Sequence, residues 1–135
     1  MALSVWKNDY SVKVQSIDRE HQTLFEMINE LHDAMKMGQS SKVVPDIFER
    51  LIDYTREHFA YEESLMLRAK YPEFSAHKIE HDKLTNQVLK MKQDFERGNT
   101  AISLSLADFL SQWLQAHILN RDKKYSDHLL AAGMI

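Results

Sequence analysis

Turn-forming residues are nearly absent from this chain. Three glycines and two prolines among 135 residues cannot reverse the backbone as often as a β-sandwich or barrel requires. The few breakers are instead spread out: Gly38, Tyr71-Pro72, Gly98-Asn99-Thr100, and Gly133 near the end. Glycine just past a helix and proline in a first turn are stop and start signals. The pattern predicts helices over residues 18–37, 42–70, 72–97 and 101–120, with a shorter helical tail to 131. Asp18 is placed as the N-cap of the first, and Pro45 in the opening turn of the second.

Each segment carries an apolar stripe in steps of three and four. It runs through His21, Leu24, Ile28, Leu31 and Met35 in the first, and Val44, Ile47, Leu51, Tyr54, His58, Leu65 and Ala69 in the second. The third has His77, His81, Leu84, Val88, Met91 and Phe95, and the fourth Leu106, Leu110, Trp113 and His117. Such steps keep one face of a helix turned inward. Long helices joined by short connections favour antiparallel neighbours, so the expected fold is all-α: an up-down-up-down four-helix bundle. Residues 1–17, with Val5, Trp6, Tyr10, Val12 and Val14, are expected to cross it as an extended arm. With no internal repeat or linker, residues 1–135 read as a single domain.

Composition narrows the function. A formal charge of −3 offers no basic face for phosphates, which excludes nucleic acid as the main partner. No apolar run approaches the roughly 18 residues of a membrane span. The opening residues lack the charged and apolar regions of a signal peptide, so a cytoplasmic monomer is expected. The absence of cysteine removes disulfides, thiolate metal sites and Cys nucleophiles together.

Histidine then stands where the stripes call for leucine. His21 lies 17 residues before Gly38, and His81 lies 17 before Gly98. His58 follows Ser41 by 17, and His117 follows Thr100 by 17. At about 1.5 Å per residue all four sit roughly 26 Å from the same end, one on each helix. Glu62, His77 and Asp122 fall one turn further on. His58-x-x-x-Glu62 and His77-x-x-x-His81 are i, i+4 pairs that can each converge on one ion. Asp122, five residues after His117, lies about 140° off the stripe of an ideal helix; it must reach in from the flank or follow a locally widened turn.

Five imidazoles and two carboxylates exceed the four ligands of one zinc ion, and suit two iron ions. If both carboxylates and one solvent oxygen bridge, five histidines divide three and two. One ion is then closed and the other keeps a vacancy for a small ligand.

At these residues the chain resembles the hemerythrins, in particular the single-domain bacterial ones. The resemblance runs through Trp6, Ile17-Asp18-Arg19-Glu20-His21, His58-Phe59-x-x-Glu62-Glu63, Tyr71-Pro72, His77-x-x-x-His81 and His117-Ile118-x-x-x-Asp122. It implies two non-haem iron ions, bridged by Glu62, Asp122 and an oxo or hydroxo group. His77, His81 and His117 would hold the closed ion, and His21 and His58 the open one. Dioxygen would bind reversibly at the vacancy, without turnover, in a carrier, storage or delivery protein. By position, Leu24, Phe59, Trp113 and Leu114 are candidates to line the oxygen pocket.

A stand-alone oxygen or redox sensor would use the same chemistry. A ferritin-like di-iron oxidase or ferroxidase uses Glu-x-x-His motifs, and no Glu here has His three residues on. A purely structural zinc bundle is a further alternative, disfavoured against dioxygen binding. His32 reads as a core or loop-end residue, His128 as exposed, and Glu63 as a solvated carboxylate pointing away from its neighbour Glu62. The charged run of Lys90, Lys92, Asp94, Glu96 and Arg97 reads as a solvated face.

Overall fold

The computed structural model of the chain describes residues 4–37, 43–97 and 102–133. Gly38, Ser41, Gly98 and Thr100, from which the common depth is counted, lie outside the described residues. Four long helices form the body: α1 Gln15–Lys36, α2 Val43–Arg68, α3 Phe74–Glu96 and α4 Ile102–His117. Helix α1 packs on α2 and α4, and α3 packs on the same two, so the four close into the expected bundle. A fifth helix, α5 (Lys123–Ala131), follows α4 through a π-helical turn, Ile118–Asp122. Among the described residues no helix is long and apolar enough to cross a membrane.

The first helix begins three residues before its expected start. Val14 is the N-cap and its side chain makes no capping bond. Asp18 sits inside the first turn instead. Its carboxylate turns back to accept the Val12 amide at 2.9 Å and the Ser11 hydroxyl at 2.6 Å. It therefore ties the N-terminal arm down rather than capping the helix.

That arm is less extended than expected. Asn8–Tyr10 form a 3₁₀ turn, and Lys13 takes a left-handed φ of 63°. Tyr10, Val12 and Val14 are buried, whereas Val5 is exposed. Trp6 and Tyr10 pack on Phe25 of α1 with ring centroids 5.9 and 5.4 Å away.

Two apolar clusters fill the interior. The larger runs from Leu24, Ile28 and Leu31 through Ile47, Leu51 and Phe59 to Leu84, Val88, Leu110 and Leu114. The smaller joins Val12, Val14 and Ile17 of the N-terminal segment to Leu65, Met66, Tyr71, Tyr125 and Leu129. Several polar residues of the predicted site fall where one cluster gives way to the other: His21 between Ile17 and Leu24, Glu62 between Phe59 and Leu65, Asp122 between Ile118 and Tyr125. The site is a polar layer sealed above and below by hydrocarbon.

Candidate metal centre

All seven predicted ligands are buried, none more than 4% exposed. Their donor atoms fall into two overlapping groups. Glu62, His77, His81, His117 and Asp122 form one, and His21, His58 and Glu62 the other. The placement of Asp122 rests on the π-helical turn. Its i→i+5 bonding lets residues five apart share a face, so His117 and Asp122 both point inward. Of the two placements that their spacing allows, reach from the flank or a widened turn, this is the second.

The two carboxylates stand between two sets of imidazoles. Glu62 Oε2 lies 3.4 Å from His21 Nε2 and 3.3 Å from His58 Nε2, while its Oε1 faces His81 Nε2 at 3.4 Å. Asp122 Oδ2 faces His21 Nε2 at 3.1 Å, and its Oδ1 faces His77 and His117 Nε2 at 2.9 and 3.0 Å. Each carboxylate thus turns one oxygen toward the pair His21/His58 and the other toward the trio His77/His81/His117. Close as they are, these atoms are poorly bonded to one another. Among the described residues, both ring nitrogens of His21, Glu62 Oε1 and both oxygens of Asp122 have no hydrogen-bond partner. Buried groups left in that state cost about 1–3 kcal/mol each.

The trio shows the same mismatch. His117 Nε2 lies 3.1 Å from both His77 Nε2 and His81 Nε2. His81 Nδ1 donates to Glu63 at 2.8 Å and His117 Nδ1 to Glu80 at 3.2 Å. A neutral imidazole carries one proton, so with Nδ1 protonated the inward Nε2 presents a lone pair. The lone pairs of His81 and His117, facing each other across 3.1 Å, then repel. A cation among them converts repulsion into ligation, so the residues present fit the two metal ions implied by their number and type.

Without metal, protons must do that work. Burial pulls His58 down, but Glu62 and Glu20 outweigh it and leave it at about 10. Burial likewise opposes the rise of His81, which Glu62 and Glu63 carry to about 9. Against its own desolvation, the neighbouring histidines hold Glu62 far below the usual carboxylate range. Asp122 is also lowered, although burial and the charge of Glu62 oppose it, because His117 and His21 face it. Metal binding must therefore displace protons from the imidazoles.

An outer ring of carboxylates orients the histidines, and sequence reasoning missed it. Glu20 of α1 accepts from His58 of α2 at 2.6 Å. Glu63 of α2 serves His81 of α3, and Glu80 of α3 serves His117 of α4. Arg121, on the π-helical turn, pairs with the second oxygen of Glu80. Glu63 is therefore no freely solvated carboxylate: its side chain is 16% exposed and it fixes a histidine. Carboxylates placed this way set the tautomer and orientation of ligating imidazoles.

Aromatic rings hold the trio from the sides. Phe59 stacks on His81 at 3.7 Å and 1°, Trp113 on His117 at 4.4 Å and 12°, and Tyr125 on His77 at 5.6 Å and 22°. Tyr125 is fully buried and donates its hydroxyl to Glu62 Oε2 at 2.8 Å.

Leu24, Phe59, Trp113 and Leu114 all line one apolar cavity of about 30 Å³ in the larger cluster, with Ile28 and Thr55 among its other walls. Two histidines expected to lie outside the site do so. His32 is half-buried near the end of α1. His128 is half-buried rather than exposed, because its Nε2 donates to the Ala69 carbonyl at 2.5 Å, near the end of α2.

Comparison with known proteins agrees with this arrangement. Residues 12–129 match the family described as the hemerythrin HHE cation binding domain. This chain belongs to the hemerythrin family. It is 38% identical over 131 residues to a bacteriohemerythrin of Stenotrophomonas maltophilia, covering 97% of this chain and 84% of that one. A bacteriohemerythrin of Methylococcus capsulatus is 36% identical over 132 residues, covering 97% of this chain and all of the relative. A crystal structure of wild-type hemerythrin superposes with a TM-score of 0.89 at 35% identity, over 95% of this chain and 98% of that one. Two leucine-substituted variants of hemerythrin superpose with a TM-score of 0.90.

Proposed function

We propose that this hemerythrin-family chain binds dioxygen reversibly at a non-haem di-iron centre, as a carrier, store or delivery protein without turnover. His77, His81 and His117 would hold one ion and His21 and His58 the other, with Glu62 and Asp122 bridging. One observation carries the reading: each buried carboxylate divides its two oxygens between a set of three imidazoles and a set of two. The smaller set leaves a coordination position to fill. The same reading takes residues 1–135 as one domain acting as a monomer in the cytoplasm.

Two ferrous ions would supply the electrons that dioxygen draws on when it binds and returns when it leaves. The protein supplies the surroundings. Leu24 stands one turn from His21, and Leu114 one turn from His117, so both face the layer from the cavity side. A cavity of about 30 Å³ exceeds the roughly 10–15 Å³ that a water-sized probe needs, and its apolar lining disfavours water. A diatomic gas, which needs no hydrogen bonds, fits where water is unwelcome. Leu114 would cover the bound ligand and keep out the water and protons that end reversibility.

The test is spectroscopic. The iron-loaded protein, reduced without air and then exposed to it, should develop a visible charge-transfer band that fades under vacuum and returns with air. Fewer than two irons per chain, mainly zinc after purification from iron-replete cells, or a band that never reverses would each defeat the reading.

A further inference from the structure

Of the two carboxylates proposed to bridge, only Glu62 has an outside partner among the described residues. Asp122 has no hydrogen bond there to either oxygen. Glu62 Oε2 receives the Tyr125 hydroxyl at 2.8 Å, and Oε2 is the oxygen that faces His21 and His58. Tyr125 also lies against His77, 5.6 Å between ring centroids and 22° between planes. One side chain therefore touches a member of the trio and the carboxylate oxygen turned toward the pair. Tyr125 is itself enclosed: it is 0% exposed, stands three residues beyond Asp122, and meets Tyr71 edge-on at 6.4 Å within the smaller apolar cluster.

We infer that Tyr125 is a positioning residue that keeps the vacancy open and electron-poor by restraining Glu62 Oε2. The inference rests on the di-iron reading above. A hydrogen bond to an ionised oxygen is strong and directional, and it acts here in two ways. It draws electron density from Oε2, so the ion held by His21 and His58 receives less and attracts an incoming ligand more strongly. It also fixes the carboxylate. A Glu62 that pivoted so that Oε1 left the trio and joined Oε2 on the two-histidine ion would occupy the position meant for the guest. Asp122 needs no such restraint, because its shorter side chain springs from the π-helical turn, whose residue Arg121 is paired with Glu80.

The probe is azide, an anion that binds a vacant ferric position and gives a charge-transfer band. Tyr125→Phe removes the hydroxyl and keeps the ring, so stacking on His77 and packing survive. Tyr71→Phe is the control, since its hydroxyl bonds Glu73 and not the site. In the diferric protein, Tyr125→Phe should weaken azide binding about tenfold, the lower end of what loss of such an outer partner costs. The azide band should shift, and one iron should pass to a chelator faster than in the parent. Tyr71→Phe should match the parent in all three. Azide affinity within twofold of the parent in a Tyr125→Phe protein that retains both irons overturns the inference. So does equal weakening in Tyr71→Phe, because the cause is then repacking of the cluster. A parent protein holding fewer than two irons defeats the di-iron reading itself, a result separate from either.

Discussion

The trio and the pair of histidines share one polar layer and are held very differently. His77, His81 and His117 each lie against the face of an aromatic ring, and two of them are tied at Nδ1 to a carboxylate of the preceding helix. His21 and His58 meet edge to face, 4.7 Å between centroids and 69° between planes. His58 has Glu20, but among the described residues His21 has no hydrogen bond at either nitrogen. On the proposed reading, the set that would complete its ion is the one clamped from outside, and the set that would admit a guest is left slack. Phe59 and Trp113 belong to both arrangements, since each stacks on a trio histidine and also walls the cavity.

Removing metal should erase the contrast with the largest effect. Stripped of iron by reduction and chelation, the layer keeps seven buried polar side chains, of which His21, Glu62 and Asp122 have inward atoms without partners among the described residues. The thermal midpoint should fall by well over the roughly 4–8 °C that 1 kcal/mol is worth in a small domain. Equal midpoints by calorimetry would mean that the ligands bury no metal.

The metal-free protein offers a second, smaller contrast through pH. His58 of the pair, at about 10, and His81 of the trio, at about 9, are raised above the ordinary 6.5. Raised bases contribute stability that is complete below about 6.5 and lost as pH climbs through the folded values. The metal-free midpoint should therefore decline between pH 7 and 10. The loaded form should stay flatter over that range, because its histidines carry no inward proton to lose. Parallel pH profiles for the two forms would contradict this.

The finest test concerns the cavity wall. Leu114→Ala removes no ligand, so iron content should stay at the parental level. Opening the wall should nonetheless speed autoxidation of the oxygenated form several-fold, from water reaching the slack side. An unchanged rate in a folded, fully loaded variant would make Leu114 ordinary core.

Much of this was legible from spacing. Stripes of three and four, few breakers and a common 17-residue depth lead to four helices and to all seven inward residues. What the stripes conceal is whatever lies beside them. Glu20, Glu63 and Glu80 each neighbour a ligand in the chain, and adjacent helical residues differ by about 100°. They point along the flank of the bundle, where charge normally means solvent, and each serves the next helix instead. The adjacency of an acid to a ligand on three successive helices is a signal that could have revealed them. Tyr125 is concealed for another reason. A periodicity carried straight through His117 assigns it the wrong face, because the turn after His117 is not α-helical.

That turn makes the tail of the protein depend on counting. Between His117 and Asp122 the backbone carries one residue more than an α-helical turn would use. Everything beyond inherits the phase shift: Asp122, Tyr125 against Glu62, Ser126 on the Val12 carbonyl, and Leu129 in the smaller cluster. Deleting any one residue from 119 to 121 would restore regular helix geometry locally, yet rotate that whole series by about 100°. The segment is therefore tolerant of changes in residue type at its exposed positions, such as Leu119, and intolerant of changes in length. A gain in local regularity there would unseat ligand, positioning tyrosine and arm together.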